Sequence, residues 1–159
     1  MPTPKVEAGQ PAPAFHAMAT DGRKVALRDF IGHQAVVLYF YPKDMTSGCT
    51  AEACDFRDNL ARVRQLGAAV VGVSPDSVKS HVKFTQKESL NFPLLADEDH
   101  ALCEKYGVWI QKSMYGRKYM GVERSTFLID KAGRIAKVWR GVKVKGHVAE
   151  IMEALQALP

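Results

Sequence analysis

Three cysteines in 159 residues are too few to staple a small secreted domain, and no two of them form a Cys-x-x-Cys pair. The disulfide-scaffold class falls away, and paired-cysteine zinc frameworks and Cys-x-x-Cys oxidoreductases are disfavoured. No histidine lies within a few residues of Cys49 or Cys54, so His16, His33, His81, His100 and His147 are expected at surface or loop positions and no metal is expected. Long hydrophobic runs are missing too: no segment reaches the roughly 20 apolar residues of a membrane span, and Met1 to Pro13 lacks an apolar core of signal-peptide length. A reducing cytoplasm is therefore the expected compartment, where a reactive cysteine can be returned to its thiol. The net charge of +5 is spread along the chain; only Lys137 to Lys145 is a basic stretch, and no recognition motif points to a specific nucleic acid.

What is present suits one domain spanning 1–159. At 47% hydrophobic, the chain is long enough to bury roughly 68 to 70% of its unfolded surface. The patterning predicts a short hairpin from Phe15–Met18 and Lys24–Ala26, a strand over 35–41, a helix over 49–66 and a strand over 69–73. A helix capped by Asp76 should run to Glu88, followed by an extended Leu94-Leu95 and a short helix from His100 to Lys105. Arg124–Ile129 and Ile135–Trp139 read as a second hairpin, and a helix over 146–158 ends the chain. Gln111 to Val122 reads as a flexible loop near the active site, its Tyr115 and Tyr119 either lining the approach or covering the core edge. Strands alternating with helices give an α/β sandwich.

The richest segment follows the continuous apolar run Val36-Val37-Leu38-Tyr39-Phe40, which suits a strand buried on both faces. Pro42 stops that strand, and Thr46, Ser47 and Gly48 supply turn chemistry. From Ala53, the positions Phe56, Leu60, Val63 and Leu66 recur at helical spacing, which places Cys49 in a helix's first turn. Unpaired N–H groups and the positive end of the helix dipole there favour a thiolate, so Cys49 reads as a nucleophile. Cys54 stands five residues on. In an intact helix that spacing separates the Cα atoms by about 8.6 Å, beyond the roughly 7 Å a disulfide tolerates, so pairing the two would require the first turns to unwind. Cys103 is odd in number and reads as a small buried residue.

Pro42, Thr46 and Cys49 match the Pro-x-x-x-Thr/Ser-x-x-Cys motif, and with Glu52-Ala53-Cys54-Asp55-Phe56-Arg57 the chain resembles the peroxiredoxins, specifically the bacterioferritin comigratory protein or peroxiredoxin Q subfamily. Further landmarks extend the likeness over nearly the whole chain: Phe15, Asp21-Gly22, Val71-Gly72-Val73-Ser74, Phe92-Pro93-Leu94-Leu95, Tyr106-Gly107-Val108 and Arg124-Ser125-Thr126-Phe127-Leu128-Ile129-Asp130. The resemblance implies a thioredoxin-like fold, a central mixed sheet flanked by helices with an N-terminal β-hairpin. It makes Cys49 the peroxidatic cysteine and Cys54 the resolving one, joined by an intramolecular disulfide. By the same likeness, Thr46 accepts from the peroxide while donating toward the reacting atoms, Arg124 steadies thiolate and leaving oxygen, Pro42 shields the sulfur, and Glu52 orients Arg124.

Implied partners are hydrogen peroxide or organic hydroperoxides and a thioredoxin or glutaredoxin-like reductant, with a monomer as the default and no cofactor. A protein-directed thiol-disulfide oxidoreductase and a non-catalytic redox sensor or holdase are the competing classes. Two departures from the subfamily stand out: Ser47 replaces the usual proline, and Thr85 stands where some relatives carry their resolving cysteine.

Overall fold

The computed structural model describes residues 6–158; Met1 to Lys5 of the N-terminal segment and Pro159 at the far end lie outside them. Strands β1 (His16–Met18) and β2 (Lys24–Ala26) form the expected N-terminal antiparallel hairpin. There follow β3 (Ala35–Phe40), α1 (Ser47–Gln65), β4 (Ala68–Ser74), α2 (Val78–Glu88), β5 (Leu94–Ala96) and α3 (Ala101–Lys105). The chain continues through β6 (Trp109–Met114), β7 (Arg117–Val122), β8 (Ser125–Ile129), β9 (Ile135–Arg140) and α4 (His147–Gln156).

Five strands make the central sheet in the order β5-β4-β3-β8-β9. Its β3, β4 and β5 run parallel while β8 and β9 pair antiparallel, so the sheet is mixed as expected. The all-apolar β3 lies at its centre, and alternation along a strand sends neighbouring side chains to opposite faces. Val37 and Tyr39 join Phe56, Leu60 and Val63 of α1, Phe84 of α2 and Ile151 of α4 in one core. Val36, Leu38 and Phe40 join Phe15, Tyr106, Val108 and Phe127 in a second core on the other side. Among the described residues no helix is long and apolar enough to cross a membrane.

Three expectations are corrected. Gln111 to Val122 is not a loop but most of the antiparallel β6–β7 ribbon, turned by Tyr115 (φ 51) and Gly116 (φ 78). A two-residue turn with positive φ at both positions is the one that fits the twist of paired strands. The cap of α2 is Ser77, whose side chain accepts from Ser80 N at 3.1 Å, while Asp76 is drawn back to Ser74 Oγ and the backbone of Asp44. His81 and His147 are not surface residues: both are buried and hydrogen-bonded.

Candidate active site

The chain leaves β3 at the centre of the sheet and must turn into α1 within a few residues. Met45 takes a left-handed φ of 62 to do so, a conformation a non-glycine side chain resists. Thr46 is the extended residue before the helix, but its hydroxyl does not cap the helix: it donates to the Lys43 carbonyl at 2.9 Å. The proton of that hydroxyl is thus committed, and what Thr46 retains for a ligand is acceptor capacity. The expected donation from Thr46 toward the reacting atoms is absent from this geometry. Pro42 is half-buried just after the strand. Cys49, 2% exposed, lies in the first turn of α1, close to the N–H groups that have no intrahelical acceptor.

Arg124 arrives from the segment between β7 and β8 and joins two groups of α1. Its Nη2 donates to Cys49 Sγ at 3.2 Å and its Nη1 to Glu52 Oε1 at 2.7 Å. Residues three apart on a helix share a face, which is why one planar fork reaches both. A Cβ on Gly48 would stand 3.3 Å from Arg124 Nη2, so the bare glycine leaves the guanidinium its place over the helix start. Glu52 is 1% exposed, and its Oε2 is buried with no partner. Burial raises its carboxyl to about 7, with Arg124 opposing.

A buried polar network anchors the turn that precedes Cys49. The Asp44 carboxylate accepts from Tyr41 Oη at 2.6 Å and Ser80 Oγ at 2.8 Å, and meets His81 Nδ1 at 2.7 Å. His81 Nε2 stands 2.9 Å from the Leu95 carbonyl, so both ring nitrogens face acceptors. Asp76 accepts the Asp44 backbone N–H at 2.8 Å. The segment carrying Pro42 and Thr46 is therefore fastened to β4, α2 and β5 rather than left to its own turn chemistry.

Cys54 lies on the same unbroken helix as Cys49, half-buried, and both are free thiols. Its Sγ donates to Glu88 Oε2 at 3.5 Å, at the end of α2. The structure thus brings Cys49, Glu52 and Arg124 together and leaves Cys54 against a different neighbour.

Residues 8–138 match the AhpC/TSA family. The chain is 53% identical over 151 residues to peroxiredoxin Bcp of Bacillus subtilis, an alignment covering 95% of this chain and 96% of that protein. The chain belongs to the AhpC/TSA family, among the peroxiredoxins of the Bcp and Q type. A solved peroxiredoxin Q of Xanthomonas campestris superposes with a TM-score of 0.88 at 44% identity, covering 94% of this chain and 97% of that one. A bacterioferritin comigratory protein of the same organism, described with alkyl peroxide reduction activity, gives 0.88 at 42% identity over 95% and 98% of the two chains. The fold is the thioredoxin-like fold of these neighbours, and a member of this family is a thiol-dependent peroxidase.

Several residues of this peroxiredoxin's site went unmarked in the sequence. Asp44 sits inside the motif, but nothing in its spacing distinguishes a buried acceptor from a solvated charge. His81 carried a signal, three residues before Phe84 on one helical face, with both buried. Lys112 of β6 also lies within the field of the site: burial first, then the Arg124 charge, lower its ammonium, while Cys49 opposes the shift. The β6–β7 ribbon runs directly into Arg124, two residues beyond the end of β7. Cys103 is fully buried, as expected; burial first, and then the hydrogen bond with Asp97, push its thiol up. Thr85 Oγ1 is buried without a partner.

Proposed function

We propose that this peroxiredoxin reduces hydrogen peroxide and organic hydroperoxides at Cys49 and closes each cycle through an intramolecular Cys49–Cys54 disulfide. The observation that carries the proposal is the Arg124 guanidinium, 3.2 Å from Cys49 Sγ in the first turn of α1. A cation there stabilises the attacking thiolate and the negative charge that develops as the O–O bond breaks. The Cys49 thiolate takes the terminal peroxide oxygen with its hydrogen and becomes a sulfenic acid, the O–O bond breaks, and the alkoxide or hydroxide leaves as alcohol or water with the proton that the Cys49 thiol had released. Thr46 accepts a hydrogen bond from the peroxide, Pro42 limits water at the sulfur, and Glu52 keeps Arg124 turned toward Cys49.

Cys54 then condenses with the sulfenic acid and releases water. The unbroken α1 holds the two cysteines farther apart than a disulfide allows, so its first turn unwinds at this stage. Within the helix start itself few local restraints oppose the change: Thr46 gives no side-chain cap, no acidic residue stands in the first turn, and Ser47 lacks the restraint of a proline, while the network around Asp44 holds the chain just before it. Thioredoxin or a glutaredoxin-like dithiol protein reduces the disulfide. The working unit in this reading is a monomeric single domain, 1–159, in the cytoplasm, with no specific nucleic-acid partner.

Peroxide turnover coupled to thioredoxin tests the reading. Cys49→Ser should abolish it, whereas Cys54→Ser should oxidise once and stall; normal turnover by Cys54→Ser would contradict the intramolecular pairing. Size-exclusion chromatography of the reduced and oxidised forms checks the monomer, which a stable dimer would overturn.

A further inference from the structure

The surroundings of Cys54 contain an acceptor for its proton. To attack a sulfenic acid, a thiol must react as the thiolate, yet this thiol is held protonated. Burial is the largest cause, followed by the hydrogen bond to Glu88; Arg57 acts the other way, and the charges of Glu88 and Asp58 raise it further. The charged groups facing Cys54 are thus Arg57 and Asp58 from its own helix and Glu88 from α2. Glu88 both opposes the thiolate by its charge and stands where the proton must go, with Oε2 3.5 Å from Cys54 Sγ.

This corner is also fastened. Arg57 Nη1 donates to the Glu88 carbonyl, and Asn91 Nδ2 donates to the Arg57 carbonyl at 3.3 Å. Those bonds tie the second half of α1 to the end of α2, beyond the turn that must unwind, so Cys54 keeps its neighbour while Cys49 moves.

We propose that Glu88 is a catalytic residue of the resolving step, the general base that removes the Cys54 thiol proton as the sulfur attacks Cys49. This rests on the reading of Cys54 as the resolving cysteine. The Cys54 sulfur pair forms the S–S bond, the Cys49 S–O bond breaks, and the departing hydroxide leaves as water with the proton that Glu88 carried. Cys49 passes from sulfenic acid to disulfide and Cys54 from thiol to disulfide, so no further oxidant or reductant enters.

The sign of one substitution decides between a base and a bystander. If Glu88 only perturbed the thiol, Glu88→Gln would remove an opposing charge and make condensation faster. A base predicts the reverse. Rapid-quench mixing of the reduced protein with one equivalent of hydrogen peroxide, followed by thiol labelling and mass analysis, yields the rate of Cys49 oxidation and the rate of condensation separately. In Glu88→Gln the ratio of condensation to oxidation should fall roughly a hundredfold at neutral pH, the low end of general-base effects, and recover as pH rises and solvent deprotonates Cys54. Glu88→Asp, which keeps a carboxylate, should retain part of the rate. A ratio in Glu88→Gln equal to or above that of the wild type overturns the proposal. Cys54→Ser, run alongside, separates the two readings: a disulfide that still forms on Cys49 without Cys54 would sink the pairing itself, whatever Glu88→Gln does.

Discussion

The Glu52 carboxylate receives Arg124 Nη1 at 2.7 Å while only 1% of the residue is exposed. The cation beside Cys49 is therefore steered by a group that water hardly reaches, and the unpartnered Glu52 Oε2 shows that the arrangement is not optimised for stability alone.

Replacing Arg124 should slow the first chemical step. Lysine keeps the charge but cannot send two parallel N–H donors to Cys49 and Glu52 at once. Loss of a charge-assisted hydrogen bond in the transition state is worth about 1.5–3 kcal/mol, so Arg124→Lys should lower the second-order rate constant for peroxide by about 10- to 100-fold. Stopped-flow oxidation of Cys49 measures it, and a rate within twofold of wild type would remove Arg124 from the proposed chemistry.

Glu52 should leave a mark on stability against pH. Burial, opposed by Arg124, raises its carboxyl from 4.5 to about 7 in the folded protein. Between those values the folded state holds a proton that the unfolded chain has released, so this contribution is fully present below the lower value and is lost as pH rises through the upper one. The effect is on the order of 3 kcal/mol. His147 has the opposite sense: burial lowers it from 6.5 to about 4, the unfolded chain binds the extra proton in that range, and stability rises with pH. Urea unfolding of Glu52→Gln across this acidic range should therefore show stability climbing more steeply with pH than in the wild type. Parallel curves would mean that Glu52 titrates alike in both states.

The Asp44–His81 pair should matter out of proportion to its distance from the sulfur. Removing one member of a buried hydrogen-bonded pair leaves the other without its partner, typically at a cost of about 1–3 kcal/mol. His81→Phe should lose stability of that order in denaturant unfolding, since Asp44 keeps only its Tyr41 and Ser80 donors. A loss below about 1 kcal/mol would show that the network is dispensable.

Buried apolar structure was the most legible part of the chain. The β3 run and the spacing of Ala53, Phe56, Leu60 and Val63 predicted a strand buried on both faces and a helix packed against it, because the period of burial is the period of the backbone. The β6–β7 ribbon escaped for the complementary reason: from Ser113 to Met120 its residues are exposed, so no alternation marks a face, and only Tyr115-Gly116 hinted at a turn. At the site, position fixed Cys49, but Arg124 stands 72 residues from Glu52 and was reached through family resemblance, since two charged side chains ordinarily read as surface ions. The partner of Cys54 was not visible at all; Glu88 lies 34 residues away and only the meeting of α1 with the end of α2 reveals it.

In the proposed cycle one hydroperoxide converts Cys49 and Cys54 into a disulfide within one chain. The most direct test is the intact mass of wild type and Cys54→Ser, before and after one equivalent of hydrogen peroxide, with labelling of the remaining thiols. Loss of two hydrogens is expected in the wild type, mapped to Cys49 and Cys54, with one added oxygen on Cys49 in the variant. An unreactive Cys49, or a wild-type disulfide that runs to Cys103 or to a second chain, would contradict that cycle.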